Sequence, residues 1–566
     1  MAVVACDARL MMAPQPLPYK GKGRQGIFCI ETPLLADLEI GDSRGHALSH
    51  PDKAAMVVHR QPAFARLNGA MHTSTSSLAH ALQECSTPQD RAAAIQGAID
   101  AQAAAGGGTV RLPAGVWRIT TITLRSGITL DLPFACVIEA HDDLADYPRG
   151  AVFVGNKDRQ PYHLIAAHDC ENVGIIGDGV IDGRGPAFWH PPMRELAAQG
   201  VDVDAYCDEH QLPAVYRNRN HPWYREKKQR VSPLCDLVRC QGLTLRGITI
   251  RNSPGWTVHL HDCDDVSIHG ITIRNNLLGP NTDGLDINGC HDVRISDCDL
   301  TCGDDAIILK SMDDARTCER ITVSNCILAS NCAALGIGAE IVHAIRDVTF
   351  TGCVIRQALR AVQIEMWDAG LVENIVVSDI SGTCDADVPL QRAIYVDIQH
   401  HGRTDGALGR CRNLIFSNIA LRCRGRSMFT AADGAVIEHI TLRDIQITYP
   451  CIEDPQQSVA AQSSSQMSND CPETRDKPAA IVCDNVHYLL MDNVRAIWPG
   501  ADVEEVVAAA NNAVNPFHGN IPMHGCWLRR VRHAVIRCPF LRAHDPHHTG
   551  MADLVDTDCS DLEHIT

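Results

Sequence analysis

Apolar residues recur along the middle of the chain in one pattern, apolar-x-apolar-x-x-apolar-x-apolar. The pattern starts at Leu243, Val266, Val293, Ile321, Val348, Ile375, Leu414 and Ile440. Successive starts are 23, 27, 28, 27, 27, 39 and 26 residues apart, and each half of the pattern alternates as a strand does. Repeats of this length, in which β-branched residues outnumber leucine, are typical of stacked β-coils rather than leucine-rich repeats. The sequence therefore predicts an all-β fold, a right-handed, single-stranded parallel β-helix.

A helix is predicted immediately before the first strand of this β-helix. Thr87-Pro88-Gln89-Asp90 supplies an N-cap, a proline at the first helical position and an acidic third position. Helix-forming residues run from Arg91 to Ala105 and end at three glycines. The first strand follows at Thr109, so we expect this helix to cap the open end of a β-helix that extends to about Phe540.

The repeat also divides the chain. Residues 1–85 show no repeat and stay unassigned, whereas residues 86–566 are predicted to form the β-helix domain, with an insert at about 189–231 and a loop at about 456–478. The insert collects basic and aromatic residues: Arg217, Arg219, Arg225, Lys227, Lys228, Arg230, Tyr216, Trp223 and Tyr224. It is either a positive, aromatic surface for sugars or a solvated excursion.

Composition narrows the class of protein. A formal net charge of −18 argues against a nucleic-acid partner. The 25 cysteines are an odd number, and Cys298, Cys326 and Cys353 occupy the third apolar slot of consecutive repeats, so we expect small buried thiols rather than a metal site. No signal peptide or membrane-length apolar stretch is visible, which favours an intracellular location. We expect a monomer without metal or cofactor.

Two short motifs carry candidate chemistry. In Asn281-Thr282-Asp283-Gly284 and Gly303-Asp304-Asp305, the carboxylates of the second motif follow Asp283 by 21 and 22 positions, close to one repeat. If one repeat is one coil, all three carboxylates meet on one face, with Asp283 and Asp304 at matching places. Crowded carboxylates repel, so at least one pKa should rise, which allows one carboxyl to act as an acid and another as a base.

The chain here resembles glycoside hydrolase family 28, the polygalacturonases and their relatives. The resemblance rests on the two Asp motifs and on four other strings, Gly107–Gly115, Gly177–Gly183, Asn252–His259 and Ile308–Ser311, and it extends from about Ala94 to Ile447. It implies a pectin-lyase-like β-helix that hydrolyses pectic α-glycosidic bonds with inversion, without a cofactor. It also implies that Asp304 is the general acid and that Asp283 with Asp305 activates water. The substrate-binding residues that follow are Asn281, Lys310, His259 and, from the insert, Trp223.

Two departures from the family pattern alter the expected specificity. Asn331-Cys332-Ala333-Ala334 stands where the family has a Gly-His-Gly string, and Gln363-Ile364-Glu365 stands where it has Arg-Ile-Lys. Since a glutamate repels a uronate, we expect Gln363, Glu365 and Trp367 to contact a neutral sugar of a pectic fragment.

Two other functions remain open at this point. A calcium-dependent polysaccharide lyase would use the Asp cluster as ligands and Lys310 as a base. A noncatalytic carbohydrate-binding β-helix would explain the missing His, Arg and Lys of the family pattern.

Overall fold

A computed structural model describes the chain over the following residues: 75–150, 160–217, 222–227, 229–386, 388, 390–400, 406–457, 473–500, 518–519, 521–546 and 548–565. Most of the unassigned segment 1–85, the residues Arg219 and Lys228 of the insert, and residues 458–472 of the predicted loop lie outside this range.

Three faces of parallel strands wind along one axis. Face 1 consists of Gly108–Arg111, Ile128–Leu132, Glu171–Gly177, Gln241–Arg246, Asp264–His269, His291–Ser296, Cys318–Ser324, Ala344–Thr351, Leu371–Cys384, Arg410–Cys423, Ile437–Thr448, Val486–Ile497, Arg532–Arg537 and Ser560–His564. Face 2 consists of Gly115–Ile119, Cys136–Ala140, Val180–Asp182, Thr249–Arg251, Thr272–Arg274, Asp299–Cys302, Ile327–Ser330 and Val354–Gln357. Face 3 consists of Ile122–Thr123, Ile165–His168, Cys235–Val238, Val258–His261, Leu285–Asn288, Ile307–Ser311, Ala333–Ile341, Arg360–Met366, Arg392–Ile398, Arg426–Ala431, Ala479–Asp484, His524–Arg529 and Leu554–Thr557.

The predicted repeat agrees with the pairing of strands between consecutive coils of this β-helix. Leu243 pairs with Val266, Val266 with Val293, and Val293 with Ile321, so that equivalent apolar side chains stack inside the coil. From Leu371 to Ile497 the strands of face 1 turn the corner without a break and also replace face 2. The predicted fold, a right-handed parallel β-helix with an N-terminal capping helix, is confirmed.

The corner between faces 1 and 2 is held by Asx residues in the left-handed region, a conformation that Asn and Asp tolerate best after Gly. Asp379, Asn418, Asp444 and Asn493 all have φ between 52° and 58°. Their side chains bond from coil to coil: Asn418 donates to Asp379 at 2.6 Å, and Asn493 donates to Asp444 at 2.6 Å.

Two helices precede the first strand, α1 (Thr75–Glu84) and α2 (Pro88–Ala104). Thr87 caps α2 with a reciprocal capping box to Asp90, as the motif predicts. Ile95 and Ile99 of α2 are fully buried, and the Gln96 amide bonds the backbone of Thr123 in both directions at 2.9 and 2.7 Å. This helix therefore covers the apolar end of the first coil.

The stacked cysteines are buried thiols, as expected. Cys298, Cys326 and Cys353 are each about 1% exposed, and each thiol donates to the carbonyl two residues earlier. All cysteines that the structure describes are free. Among the described helices, none has the length and apolar character needed to cross a membrane.

The insert is a small folded unit rather than an open loop. It contains a short hairpin, Trp189–His190 with Arg225–Glu226, and two helices, α3 (Met193–Ala198) and α4 (Val203–Glu209), that share a buried apolar cluster. Three 3-10 turns (Leu144–Asp146, Gly185–Phe188 and Ala214–Arg217) and a second hairpin (Ile452–Glu453 with His518–Gly519) complete the described elements.

Candidate active site

The two Asp motifs lie at the start of neighbouring strands of face 3. Leu285 pairs with Ile307, so Asp283 lies opposite Asp305, and the Gly284 N–H donates to the Asp305 carbonyl at 2.8 Å. The one-coil spacing is therefore correct, but the matching pair is Asp283 and Asp305 rather than Asp283 and Asp304. The reason is that Asp283 and Asp305 each lie two positions before the paired strand residues Leu285 and Ile307.

The motif residues between the carboxylates hold the two turns together. The Thr282 hydroxyl accepts the Gly303 N–H at 3.0 Å. A Cβ at Gly303 would lie 2.5 Å from that hydroxyl and 2.6 Å from the Asn276 and Gly279 carbonyls. Only glycine fits this close approach, so the Gly that precedes the Asp pair is a packing requirement.

The three carboxylates differ in environment. Burial and then the adjacent Asp305 raise the pKa of Asp304 to about 7, although its side chain keeps some exposure to solvent. Asp283 is only 4% exposed, its Oδ1 has no hydrogen-bond partner, and burial, Asp304, Asp286 and Asp305 raise its pKa. Asp305 uses Oδ1 to accept the Ala333 N–H at 2.9 Å. A carboxyl that keeps its proton thus stands beside one that accepts a hydrogen bond.

Lys310 lies on the outer side of the same face, and it is almost buried at 6% exposure. Its ammonium donates to the Glu340 carboxylate at 2.8 Å and lies 5.4 Å from the centre of the Trp256 ring. Burial opposes its charge, but Glu340, followed by Asp286 and Asp305, raises its pKa. Lys310 in turn lowers the pKa of Asp283 and of Asp304.

His259 does not reach the protein surface. It is fully buried, its Nδ1 lies 2.8 Å from the Asp236 carboxylate, and its Nε2 has no hydrogen-bond partner. His168 contacts the other Asp236 oxygen at 3.2 Å. Burial opposes the charge of Asp236, but the surrounding histidines lower its pKa. His259 is paired in register with Asp286, whose two carboxylate oxygens are also buried without partners.

Asn281 links Asp304 to Arg230 of the insert. Its side-chain amide donates to Asp304 at 3.4 Å and accepts from the buried Arg230 at 3.2 Å. Arg230 also donates to the carbonyls of Pro254 and Pro280 at 3.4 and 3.1 Å. This arginine of the predicted basic loop therefore supports the turn that carries Asp283 instead of facing solvent.

The rest of the described insert is largely paired within itself. Arg217 binds Asp208, Arg225 binds Glu226 at 2.7 Å and stacks 5.2 Å from the centre of Tyr216, and Lys227 donates to a backbone carbonyl. The expected positive field is correspondingly weak. The partly exposed Trp223 packs on an apolar cluster of Leu359, Ala386 and Val388. Leu359 directly precedes the strand that carries Gln363 and Glu365.

A cation that the sequence comparison missed lies beside these two residues. Arg360 donates to Gln363 at 2.6 Å and to Glu365 at 3.0 Å, and its guanidinium lies 4.6 Å from the centre of the Tyr395 ring. Glu365 also accepts the Trp367 indole N–H at 3.1 Å. The expectation that Glu365 repels a uronate is therefore corrected, because Arg360 pairs with Glu365 and neutralises its charge. Arg360 could have been found from the sequence, because it lies on the same strand as Gln363 and Glu365.

Comparison with known proteins points to one family. Residues 224–463 match glycosyl hydrolases family 28. A probable polygalacturonase from Vitis vinifera is 25% identical over 292 residues, which cover 48% of this chain and 52% of the relative. An endo-polygalacturonase from Pectobacterium carotovorum subsp. carotovorum is 19% identical over 350 residues, 60% of this chain and 81% of the relative. The chain thus spans about half of the length of the Vitis vinifera relative.

Among solved structures, the family 28 exopolygalacturonase of Yersinia enterocolitica is similar with a TM-score of 0.49 and 16% identity, over 75% of this chain and 76% of that one. The family match covers both Asp motifs, Lys310 and the Gln363–Glu365 segment. With these motifs on adjacent coils of a parallel β-helix, the chain is similar to glycosyl hydrolases family 28 over residues 224–463.

Proposed function

We propose that the protein is a glycoside hydrolase that cleaves a glycosidic bond in pectic oligosaccharides or polysaccharides by acid and base catalysis with inversion. In this proposal residues 86–566 form the glycosidase domain and the protein acts as a monomer. One observation carries the proposal: a carboxyl with a pKa of about 7, Asp304, lies beside Asp305 and one coil from Asp283. Such a group holds a proton at neutral pH and can release it to a leaving sugar.

The proposed reaction uses the three aspartates in two roles. Asp304 donates its proton to the glycosidic oxygen as the bond to the anomeric carbon breaks. Asp305, assisted by Asp283, takes a proton from a water molecule whose oxygen attacks the anomeric carbon from the opposite face. Asp305 takes the role of base because its Oδ1 is held in place by the Ala333 N–H, whereas burial and neighbouring carboxylates raise the pKa of Asp283 and favour its protonated form.

The proposed cleavage subsite takes a neutral sugar. Arg360 and Glu365 form a pair with no net charge, and Gln363 and Trp367 add an amide and an aromatic face. Hydrogen-bonding side chains and an aromatic face suit hydroxyl-rich pyranoses. A neutral sugar needs no cation in the subsite, whereas the carboxylate of a galacturonate would compete with Glu365 for Arg360. Galacturonates at other subsites are compatible with this proposal.

A panel of pectic oligosaccharides tests both the reaction and its specificity. Reducing-end release with inverted anomeric configuration in proton NMR supports hydrolysis, and ultraviolet absorbance of unsaturated products would instead indicate a lyase. Asp304→Asn should lower kcat by about 10²–10⁴-fold, as expected for loss of a general acid. The exposed Asp313, on the loop after the Lys310 strand, gives the matched control Asp313→Asn, which should keep parental activity.

The outcome for specificity is separate. We expect faster turnover of oligosaccharides with a neutral sugar at the cleaved position than of unbranched polygalacturonate. Preference for polygalacturonate over every substrate with a neutral sugar would contradict the proposed subsite without affecting the catalytic assignment. Glu365→Gln is the informative variant, since it frees Arg360 for a uronate and should raise turnover of polygalacturonate. Glu365→Lys would instead place two buried cations side by side.

A further inference from the structure

A thiol lies among the proposed catalytic carboxylates, where neither the resemblance nor the proposed reaction assigns it a role. The Cys332 thiol lies close to both Asp304 and Asp305. One carboxylate oxygen from each aspartate and the Cys332 sulfur all lie within 4.8 Å of one another. In the part of the chain that the structure describes, no other such group of His, Cys, Asp and Glu ligands is found.

A carboxylate on the neighbouring coil has an unsatisfied oxygen. Asp283 lies opposite Asp305 on the preceding coil, is 4% exposed, and has an Oδ1 that is buried without a hydrogen-bond partner. A buried carboxylate oxygen without a donor is costly, and it is best satisfied by a proton donor or a cation. Positive charge near these carboxylates is therefore favoured.

The donor set also selects the kind of cation. Calcium and magnesium prefer oxygen ligands alone, whereas a thiolate beside carboxylates suits zinc and other borderline or soft divalent ions. Zinc–sulfur bonds of about 2.3 Å and zinc–oxygen bonds of about 2.0–2.2 Å place tetrahedral ligands roughly 3.5 Å apart. Ligand atoms within 4.8 Å reach this spacing by small side-chain rotations.

We propose that Asp304, Asp305 and Cys332, with Asp283 alongside, form a binding site for Zn²⁺ and similar divalent ions, and that an ion bound there inhibits the enzyme. On binding, the sulfur–hydrogen bond breaks, a sulfur–metal bond forms and the proton passes to the buffer. The ion occupies Asp304, so this residue can no longer protonate the glycosidic oxygen. The inhibition rests on the proposed function, whereas the binding does not.

Binding is tested first on the intact protein, with Co²⁺ alone as a spectroscopic substitute for zinc. The parent should develop a thiolate-to-cobalt absorption band that added Zn²⁺ removes. The band should be lost in Cys332→Ser, while circular dichroism verifies that the β-sheet signal is retained. Cys85→Ser removes another partly exposed thiol, at the end of α1, and should leave the band unchanged. A band that persists in Cys332→Ser, or no band in the parent, would overturn the site.

Inhibition is tested second, on any substrate that the parent hydrolyses. Zn²⁺ should inhibit Cys332→Ser at least about tenfold more weakly than the parent, because the soft ligand is lost. Equal inhibition of the two proteins would overturn the regulatory part of the proposal. If no pectic substrate is cleaved, the proposed function fails, but the cobalt titration still decides whether the metal site exists.

Discussion

Asp304→Asn should inactivate the enzyme and at the same time stabilise its fold, and the stabilisation should depend on pH. Burial and Asp305 raise the pKa of Asp304 from its ordinary value of 3.8 to about 7. The folded state therefore disfavours the ionised carboxylate, and asparagine, which resembles the protonated form, escapes this cost. Below pH 3.8 the carboxyl is protonated in both states, and the cost is absent.

The magnitude follows from the two pKa values. Each pH unit between them is worth about 1.4 kcal/mol, so the ionisation of Asp304 costs the fold about 4 kcal/mol above pH 7. At pH 5 only the part between 3.8 and 5 applies, which is between about 1 and 2 kcal/mol. The gain in the free energy of unfolding from Asp304→Asn should thus be larger at pH 8 than at pH 5, by somewhat more than 2 kcal/mol.

Urea unfolding at pH 5 and pH 8, followed by circular dichroism, measures this difference. The exposed Asp313→Asn variant is the control and should change the free energy of unfolding equally at both pH values. If Asp304→Asn gives the same change at both pH values, or destabilises the protein at pH 8, the carboxyl is not held protonated by its surroundings. The parental pH–rate profile provides a second measure: kcat should fall as pH rises through about 7, where the acid loses its proton.

Three further substitutions test the contacts around the site. Lys310→Met removes a cation that lowers the pKa of Asp304, so the fall in kcat should move to higher pH, and the loss of the partner of Glu340 should cost about 3–5 kcal/mol in urea unfolding. A double-mutant cycle of Arg360→Met and Glu365→Gln should give a coupling energy of about 1–3 kcal/mol. Gly303→Ala should destabilise the protein by about 1–3 kcal/mol and lower kcat, because its Cβ would meet a neighbouring oxygen at 2.5 Å.

Each of these has an outcome that contradicts it. An unmoved pH profile in Lys310→Met would show that this ammonium does not act on the acid. A coupling energy near zero would show that Arg360 and Glu365 do not interact in solution. A Cβ added at Gly97 of α2 would have no atom within 4 Å, so Gly97→Ala should be neutral or stabilising. Equal effects of Gly303→Ala and Gly97→Ala on the free energy of unfolding would refute the packing argument.

The coil architecture could be predicted from sequence because its cause is local and repeated. Leu243, Val266 and Val293 occur at intervals that stack them in register, and β-branched residues at such positions have few other folds in which to bury their faces. The Thr87 capping box is equally local. The convergence of Asp283 with Asp304 and Asp305 follows from the repeat length alone, although an error of one residue in the expected match shows that turns are less regular than strands.

The electrostatic partners could not be predicted in the same way. Arg230 lies in an insert without a repeat, and only the folded chain shows that its guanidinium bonds Asn281 in the turn that carries Asp283. Glu340 is a coil away from Lys310, and a bulge between Leu309 and Ser311 shifts the register there. Pairing across an irregular coil depends on side-chain direction, which periodicity does not encode.

Because the site lies on consecutive coils, the positions that its side chains can occupy are regularly spaced, like the points of a lattice. Along the helix axis, groups can move only in steps of about 4.8 Å, and along a strand only in steps of two residues, about 6.6 Å. A charge lost at one lattice point can therefore be resupplied from a nearby point without changing the fold. Arg360, on the same strand as Gln363, is one residue off this spacing and reaches Gln363 through its long side chain, with a hydrogen bond of 2.6 Å. Substrate range in a protein of this shape can thus change by exchanging lattice points, while Asp283, Asp304 and Asp305 stay in place.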